Sequence, residues 1–405
     1  MSNQLSNGLT VIYKNSCSRG GFSRFSGCLC VSVGHVNEPT LAIASLFERM
    51  LFLETAGIMA VFGGTMTAYT TSGWTMGEII DKLSQVFNPS IITDELVERA
   101  KRKIIEETRQ ISLQTLRQMK LLYKDTAFGV NRPTEEFLEK LNSYTTADVS
   151  RFADTYYTAK NAVLIIEGPK IPIKNVFEGL ESCMGYIPAG EKQEGFVRVD
   201  YTGGFGRIEV EDDVTRLMFG WDLSRFNMVD SPVMNVLLSL LLRQLERAFS
   251  RKIPDAQVEV RVVDCYGART ARVFISSPTA SARSLTKIFA REINELCDNW
   301  ISSELLDCVC SDAMIEKLDK YEKSDNAALE IAWQLVGRGG DQDVSSRILD
   351  IGMTTSEDVR CMAERLFRGS RVTYIVATSS KDECYSYKEL LMALRSEFLI
   401  EDSDE

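Results

Sequence analysis

The sequence predicts an α+β protein of two tandem homologous domains, each an antiparallel sheet covered by helices. Its 405 residues exceed what a single hydrophobic core usually supports. Two pairs of similar segments lie 209 residues apart, Ile92 matching Ile301 and Thr145 matching Thr354, and a shared spacing indicates a duplicated unit. In each copy strands and helices occur in separate groups, which is typical of α+β domains. We therefore expect domains at residues 1–195 and 196–405.

The elements of the first copy follow from hydrophobic period and capping signals. Alternating, β-branched stretches predict strands, and Ser or Thr before an acidic turn predicts a helix start. The expected elements are strands near Thr10–Tyr13 and Cys28–Val33, a helix near Leu41–Leu53, a strand and hairpin within Val61–Gly73, a helix from about Thr93, a capped helix from Thr145 and a strand at Val163–Ile166.

The second copy repeats this order, which supports the duplication. Its expected elements are strands at Arg207–Val210 and Arg216–Trp221, a helix within Ser231–Phe249, a strand within Ala256–Asp264, a helix from about Ser302, a capped helix from Thr354 and a strand at Val372–Val376. The join is expected within Ala189–Gly204, which is rich in glycine and charge.

Composition narrows the possible partners. The net charge is −11, and the acidic excess lies in the second half and in the terminal "EFLIEDSDE". Nucleic acid is not expected as a partner, because phosphate binding needs a basic surface, whereas a cationic peptide is compatible. The ten cysteines include no C-x-x-C, which favours reduced thiols in an intracellular compartment. No apolar run reaches the roughly 18 residues of a transmembrane helix, so no transmembrane segment is expected.

One apolar stretch, "ASLFERMLF" (Ala44–Phe52), carries unexpected charges. As a helix it is apolar almost all round, which predicts burial. Ser45, Glu48 and Arg49 interrupt it within a single arc about 100° wide. The single histidine, His35, is expected in a loop at a strand end. An H-E-x-x-H or H-x-x-E-H helix needs two histidines one turn apart, so this chain cannot build that zinc site.

A series of motifs runs through the first copy. It comprises "SNGLTVIYKN", a small-residue strand ending in Gly34, "ASLFERMLF", "GGTMTAYTTSG" and "TAFGVNRPTEEFLEKLNSYTTADVSRFADTYYTAKNAVLIIEG". This order resembles the M16 (pitrilysin-type) metallopeptidase family, most closely the branch that contains the mitochondrial processing peptidase subunits and the cytochrome bc1 core proteins. The resemblance covers the first copy almost throughout and the second through its architecture, and it implies two M16-type domains.

The resemblance also implies where the zinc site would lie. The family's first histidine falls on Ser45, its catalytic glutamate on Glu48, its second histidine on Arg49 and its third zinc ligand on Glu107. The register of Glu107 has independent support, because this residue falls within the apolar stripe of its helix (Leu96, Ala100, Ile104 and Ile111), whereas Glu106 points about 100° away.

Two further positions depart from the family pattern. Thr67 replaces the asparagine of the turn that follows the catalytic helix, and the span between Trp74 and Asn88 is shorter than in the family by some tens of residues. The glycine-rich substrate loop of the processing peptidase α subunit would fall near Met234–Phe249, which contains no glycine.

The resemblance therefore implies the fold without the activity. We expect no intact catalytic residue, no bound metal and no cofactor, because serine is a poor zinc ligand and Arg49 repels a cation. One hypothesis is that Arg49 replaces the metal as counter-charge to a buried pair of carboxylates, Glu48 and Glu107. The alternative is that Ser45, Glu48 and Arg49 line a solvated groove.

Two classes of function follow. The first is a non-catalytic, α-subunit-like partner of a catalytic M16 β-type subunit, forming an acidic chamber for basic presequence peptides. The second is a structural core subunit of a respiratory complex or another scaffold. A peptidase with an unrelated active site is a third, for which we find no constellation. The expected location is the matrix side of a mitochondrion or a reduced mitochondrial derivative, with the cytoplasm as alternative. No leader is recognised in the sequence.

Overall fold

A computed structural model describes residues 2–15, 24–35, 38–55, 57–62, 66–112, 114–130, 134–193, 199–227, 230–265, 268–322, 328–329, 331–332, 344–379 and 382–395. The elements of the first half are β1 (Ser2–Gln4), β2 (Thr10–Asn15), β3 (Phe25–Val31), α1 (Ile43–Glu54), β4 (Met59–Phe62), β5 (Thr67–Gly73), α2 (Met76–Ser84), α3 (Asp94–Ser112), α4 (Thr115–Phe128), α5 (Thr134–Ser143), α6 (Thr146–Tyr156), β6 (Ala162–Gly168) and α7 (Ile173–Met184).

The second half repeats this order of strands and helices. Its elements are β7 (Gly204–Glu209), β8 (Thr215–Asp222), α8 (Ser231–Lys252), β9 (Gln257–Cys265), β10 (Ala268–Ser277), α9 (Ala282–Asp298), α10 (Ser303–Glu322), α11 (Val344–Gly352), α12 (Ser356–Ala363), β11 (Val372–Thr378) and α13 (Tyr387–Leu394). The predicted hairpin is confirmed, because β4 and β5 pair as antiparallel neighbours.

The chain folds into two compact units that differ from its two halves. The first unit comprises Met1–Arg109, Arg132–Arg198 and Leu318–Asp341, and the second comprises Gln110–Asn131, Val199–Lys317 and Gln342–Glu405. Each unit therefore includes a segment from the other half. The domain boundaries 1–195 and 196–405 stay a prediction about the duplicated sequence, which is a different property from compactness.

The first unit is built on a six-stranded sheet in the order β1-β2-β6-β3-β5-β4. One face packs against a core that includes side chains of α1, α2, α6 and α7. The opposite face is lined by small residues, among them Cys28, Cys30 and Ala68, which pack against Ala328 and Ile331. Small side chains on that face leave room for a second covering layer.

The second unit is built on a five-stranded sheet in the order β7-β11-β8-β10-β9. Its core face packs against α8, α9 and α12. Aromatic side chains bind these layers together, with the Phe219 and Phe289 rings stacked at 4.0 Å and Phe219 and Tyr374 at 5.0 Å. Each such pair contributes about 0.5–1.5 kcal/mol beyond its area burial.

The predicted fold class is confirmed, with one refinement of the strand directions. In each sheet one neighbouring pair is parallel, β2 with β6 and β7 with β11, while the other neighbours are antiparallel. Each parallel pair joins strands separated by most of a copy, and parallel neighbours require such a long crossover.

The starts of the corresponding helices show that one predicted match between the two copies is wrong by one residue. Thr93 and Ser302 both accept a backbone N–H at the start of a long helix, as the spacing of 209 requires. Thr145, however, caps α6 through a reciprocal capping box, and its counterpart on α12 is Thr355, not the predicted Thr354. The second copy therefore contains one extra residue between these two helix starts.

Candidate functional site

The predicted charged helix is α1, and one face of it is open to solvent. Six of its side chains, Ile43, Ala44, Leu46, Phe47, Met50 and Leu51, are buried in the core of the first unit. Ser45, Glu48 and Arg49 are half-buried, and Phe52, on the same face, is 55% exposed. The expectation of a helix buried all round is wrong at this face, because α1 is covered on one side only.

The start of α1 is fixed by a carboxylate. The two oxygens of Glu38 accept from the backbone N–H groups of Ala42 and Ala44, each at 3.0 Å. Ala42 adopts a left-handed conformation with φ of 73°, which an alanine rarely does. Because the first N–H groups of a helix lack partners within it, the Glu38 cap offsets part of this backbone strain.

Arg49 and Glu107 form an ion pair between α1 and α3. Arg49 Nη2 donates to Glu107 Oε2 at 2.6 Å, and the two side chains are 27% and 34% exposed. The Arg49 guanidinium also lies 5.7 Å from the ring centre of Phe52. Glu107 faces α1 as its register predicts, whereas Glu106 is exposed and pairs with Lys103.

Glu48 lies beside this pair in a poorly solvated position. Burial raises the pKa of the Glu48 carboxyl from 4.5 to about 7, the Arg49 guanidinium lowers it, and the negative charge of Glu107 raises it. Burial therefore outweighs the favourable cation. Glu48 changes its protonation state near neutral pH, in contrast to an ordinary surface glutamate.

Two tyrosines that the sequence reading missed lie behind Glu48. The hydroxyls of Tyr69 and Tyr157 are 2.7 Å apart, and the Tyr157 ring lies 4.3 Å from that of Phe47 on α1. Burial, followed by mutual contact, raises the pKa of Tyr69, and the Glu48 charge adds to the rise. The inward position of Tyr69 in the alternating "TAYTT" could have indicated this contact.

Thr67, at the position of the family asparagine, supports the strand beneath the helix. It is fully buried, and its hydroxyl donates to the Val33 carbonyl at 2.8 Å.

His35 lies in a bend after β3, as the loop prediction expects. The nine described cysteines form no disulfide bond with one another, while Cys17 lies outside the described residues. The Ile111 side chain also lies outside them, so the stripe around Glu107 is described only through Leu96, Ala100 and Ile104.

Comparison with known proteins reveals the family. Residues 143–309 match the family model described as peptidase M16 inactive domain. No curated protein sequence matches the chain. The match to the family model covers 167 of the 405 residues and identifies the chain as an M16 homologue.

Solved structures show that the fold extends over nearly the whole chain. A chain of complex III2 from Candida albicans matches with a TM-score of 0.80 and 13% identity, over 97% of this chain and 99% of that one. A protease from Helicobacter pylori matches with 0.78 and 16%, over 93% and 98%. The peptidase M16 inactive domain from Pseudomonas fluorescens matches with 0.75 and 12%, over 95% and 98%. At these identities the likeness establishes the fold alone.

The residues of this M16 chain do not fit the zinc ion that its fold implies. Ser45 offers a poor ligand, and the cationic Arg49 is bonded to Glu107, the carboxylate that would have to bind the metal. Across the described residues, no group of three or more His, Cys, Asp or Glu side chains could hold a metal. The chain is a non-catalytic M16 homologue, and we assign no chemical step to zinc. Helices long and apolar enough to cross a bilayer are also missing from the described part.

Proposed function

We propose that this chain is the non-catalytic, substrate-binding subunit of a two-subunit processing peptidase, paired with a catalytic M16 β-type subunit. The observation that carries the proposal is the Arg49–Glu107 ion pair, which occupies two positions where the resemblance places zinc ligands, within a fold retained over nearly the whole chain. The fold is present while Ser45 and Arg49 occupy the positions of the family histidines, so we assign this chain a role in binding and assembly.

The chemistry of the site supports a role without catalysis. M16-type hydrolysis needs a water made acidic by a metal, and a glutamate to take its proton. Glu48 retains the position of that glutamate, but the guanidinium beside it offers no water of lowered pKa. The partner subunit, with an intact H-x-x-E-H, would supply the complete site.

A peptide could bind along the edge of the first sheet. β4 is the terminal strand of that sheet, next to α1, and edge strands can accept an extended peptide as an added strand. Met59 on β4 and Phe52 on α1 are each more than half exposed, which offers apolar contacts. The net charge of −11 favours a basic peptide, as presequences are.

Affinity capture of the full chain tests the pairing. We expect a tagged chain to recover a second M16 chain with an intact H-x-x-E-H in one-to-one ratio, identified by mass spectrometry. The recovered pair should cleave a basic presequence peptide, and neither chain alone should do so. Cleavage by this chain alone after loading with zinc would overturn the proposal and revive an unrelated active site.

A core subunit of a respiratory complex is the second candidate. The complex III2 chain from Candida albicans, matched over nearly its full length, supports it. Recovery of the tagged chain with membrane respiratory subunits, without peptidase activity, would favour this role. Either role places the chain in a mitochondrion or a reduced mitochondrial derivative, so fractionation that finds it in the cytoplasm alone would count against both.

A further inference from the structure

The second sheet has a polar face on the side opposite its hydrophobic core. On β10, the side chains of Ala271, Val273 and Ile275 enter the core, so Arg272 and Phe274 point to the other face. Helix α4 covers part of that face. Its Tyr123 and Leu122 approach strand glycines so closely that a Cβ on Gly220 would lie 2.2 Å from the Tyr123 hydroxyl, and one on Gly206 2.8 Å from Leu122.

Arg272 stands at the border of the part that α4 covers. Its guanidinium carbon lies 4.0 Å from the centre of the Tyr123 ring, which orients the planar group. The Nε and Nη2 atoms of Arg272 are buried and donate no hydrogen bond to any described residue. A buried donor without an acceptor is destabilising, and more so when it is charged, so an acceptor supplied by a ligand would be favourable here.

A second arginine lies directly opposite on the neighbouring strand. Arg261 of β9 is paired in register with Arg272, so the two side chains share one sheet face. Like charges at such a pair are destabilising. Arg261 is 69% exposed and contacts Glu259, two residues away on the same edge strand. The Glu259 carboxylate, which is 46% exposed, is therefore a competitor for any acidic ligand of Arg261.

A third arginine on the same face provides the contrast. Arg216 of β8 is bonded by two parallel contacts to Asp212, Nη1 to Oδ1 at 2.8 Å and Nη2 to Oδ2 at 2.9 Å. Its guanidinium is thereby neutralised within the fold. Arg272 is also oriented, but its Nε and Nη2 atoms have no carboxylate partner in the described part of the chain. Unlike Arg216, it can therefore bind the carboxylate of a ligand.

We propose that Arg272 and Arg261 form a binding site for a carboxylate side chain of an extended acidic peptide segment that adds to the edge of β9. β9 is the terminal strand of the sheet, so its outer backbone groups can pair with an added strand. Side chains of that strand alternate between faces. A long acidic side chain on the Arg261 face would contact Arg261 first and extend over β9 towards Arg272 on the next strand. The site is separate from the proposed β4 edge and selects the opposite charge.

Fluorescence anisotropy on the full chain tests this site. The probes are a labelled extended peptide in which glutamate alternates with threonine, and its glutamine counterpart. We expect the glutamate peptide to bind at least about tenfold more tightly, which corresponds to about 1.4 kcal/mol, because a carboxylate forms charge-assisted hydrogen bonds that an amide does not. R272K, which keeps the charge but loses the planar fork, should weaken that binding severalfold. E259Q should strengthen it, because the competing carboxylate is removed.

The matched control is R216Q, an arginine of the same face that already has its carboxylate, and it should leave the affinity unchanged. Circular dichroism of each variant checks that it folds. Equal affinity for the two peptides, an unchanged affinity in R272K, or binding of inorganic phosphate without binding of the glutamate peptide would each overturn the proposal. A failed capture of a catalytic partner would leave this result unaffected, so the two proposals fail separately.

Discussion

Each unit contains an arginine that links two of its helices, and the two links differ in their surroundings. In the first unit Arg49 of α1 contacts Glu107 of α3 at 2.6 Å, and in the second Arg243 of α8 contacts Asp312 of α10 at 2.8 Å. These helices hold corresponding places in the two copies. The first pair is 27% and 34% exposed, and the second 43% and 59%.

The difference shows what is particular to the site formed by Ser45, Glu48, Arg49 and Glu107. An arginine–carboxylate link joins these helices in both units, but at the spacing of 209 Asp312 corresponds to Lys103 and not to Glu107, so the two links lie at different positions. The particular feature is Glu48, a second and poorly solvated carboxylate beside the pair. In the second unit the neighbour of Arg243 is instead the Cys308 thiol, with Nη1 at 3.1 Å from Sγ. The charges of the first link are less exposed to solvent, so we expect the first link to contribute more to stability than the second.

The largest expected effect is that of removing Arg49. R49A would leave Glu107 and Glu48 without their cation, and we expect the free energy of unfolding to fall by about 2 kcal/mol. This is less than the roughly 3–5 kcal/mol of a fully buried pair, because about a third of these side chains is exposed. Urea unfolding at pH 7.5 measures it. R49A/E107Q should recover part of the loss, and an unchanged midpoint for R49A would refute the counter-charge hypothesis in favour of a solvated groove.

The next effect is a pH dependence that originates in Glu48. The pKa of its carboxyl is about 7 in the folded chain against 4.5 as the reference, so the folded state binds the proton more tightly. Its contribution is therefore most favourable below pH 4.5 and is lost as pH rises towards 7. We expect the wild type to lose about 1–2 kcal/mol more than E48Q between pH 5 and 8.

The control for this pH dependence is E167Q. Burial also raises the pKa of the Glu167 carboxyl to about 7, so the wild-type slope contains contributions from both residues. E167Q should remove a separate part of the slope, and the double variant should remove both. Parallel curves for wild type and E48Q would show that Glu48 is hydrated in solution.

A smaller effect tests the correspondence of the two copies. T145A and T355A each remove a capping-box hydroxyl, and each should lower the free energy of unfolding by about 1 kcal/mol. T354A, next to the second cap, removes a hydroxyl that donates to the Asp350 carbonyl at a long 3.4 Å and should cost less than T355A. The reverse order for T354A and T355A would restore the spacing of 209.

The local parts of this structure could be predicted from the sequence. The charged helix was expected near Leu41–Leu53 and runs from Ile43 to Glu54, and Glu107 faces inward as its helical period requires. Both features depend on residues within a few turns of one another. For the same reason strand alternation located β8 and β11 closely.

The remaining parts depend on contacts between distant segments. The sequence pattern of α4 does not indicate that this helix covers the second sheet. The contact is seen only in the structure, where side chains of α4 pack against Gly206 and Gly220. The choice of Glu107 over Glu48 as the hydrogen-bond partner of Arg49 likewise depends on how α1 and α3 pack. An exposed Phe52 could not be foreseen from an apolar helix, because periodicity does not reveal how many sides of a helix are covered.

The smallest expected effect concerns the Arg243–Asp312 link of the second unit. R243A removes the link of the second unit, whose two side chains are about half exposed, and exposed pairs are worth about 0.2–1 kcal/mol. We expect a loss near the low end of that range, abolished by 0.5 M salt because solvent-exposed charges are screened. The loss in R49A should persist in the same salt, since Glu48 is poorly solvated. If both variants lost equal stability and responded equally to salt, the two links would be equivalent and the first unit would retain no trace of a former charged centre.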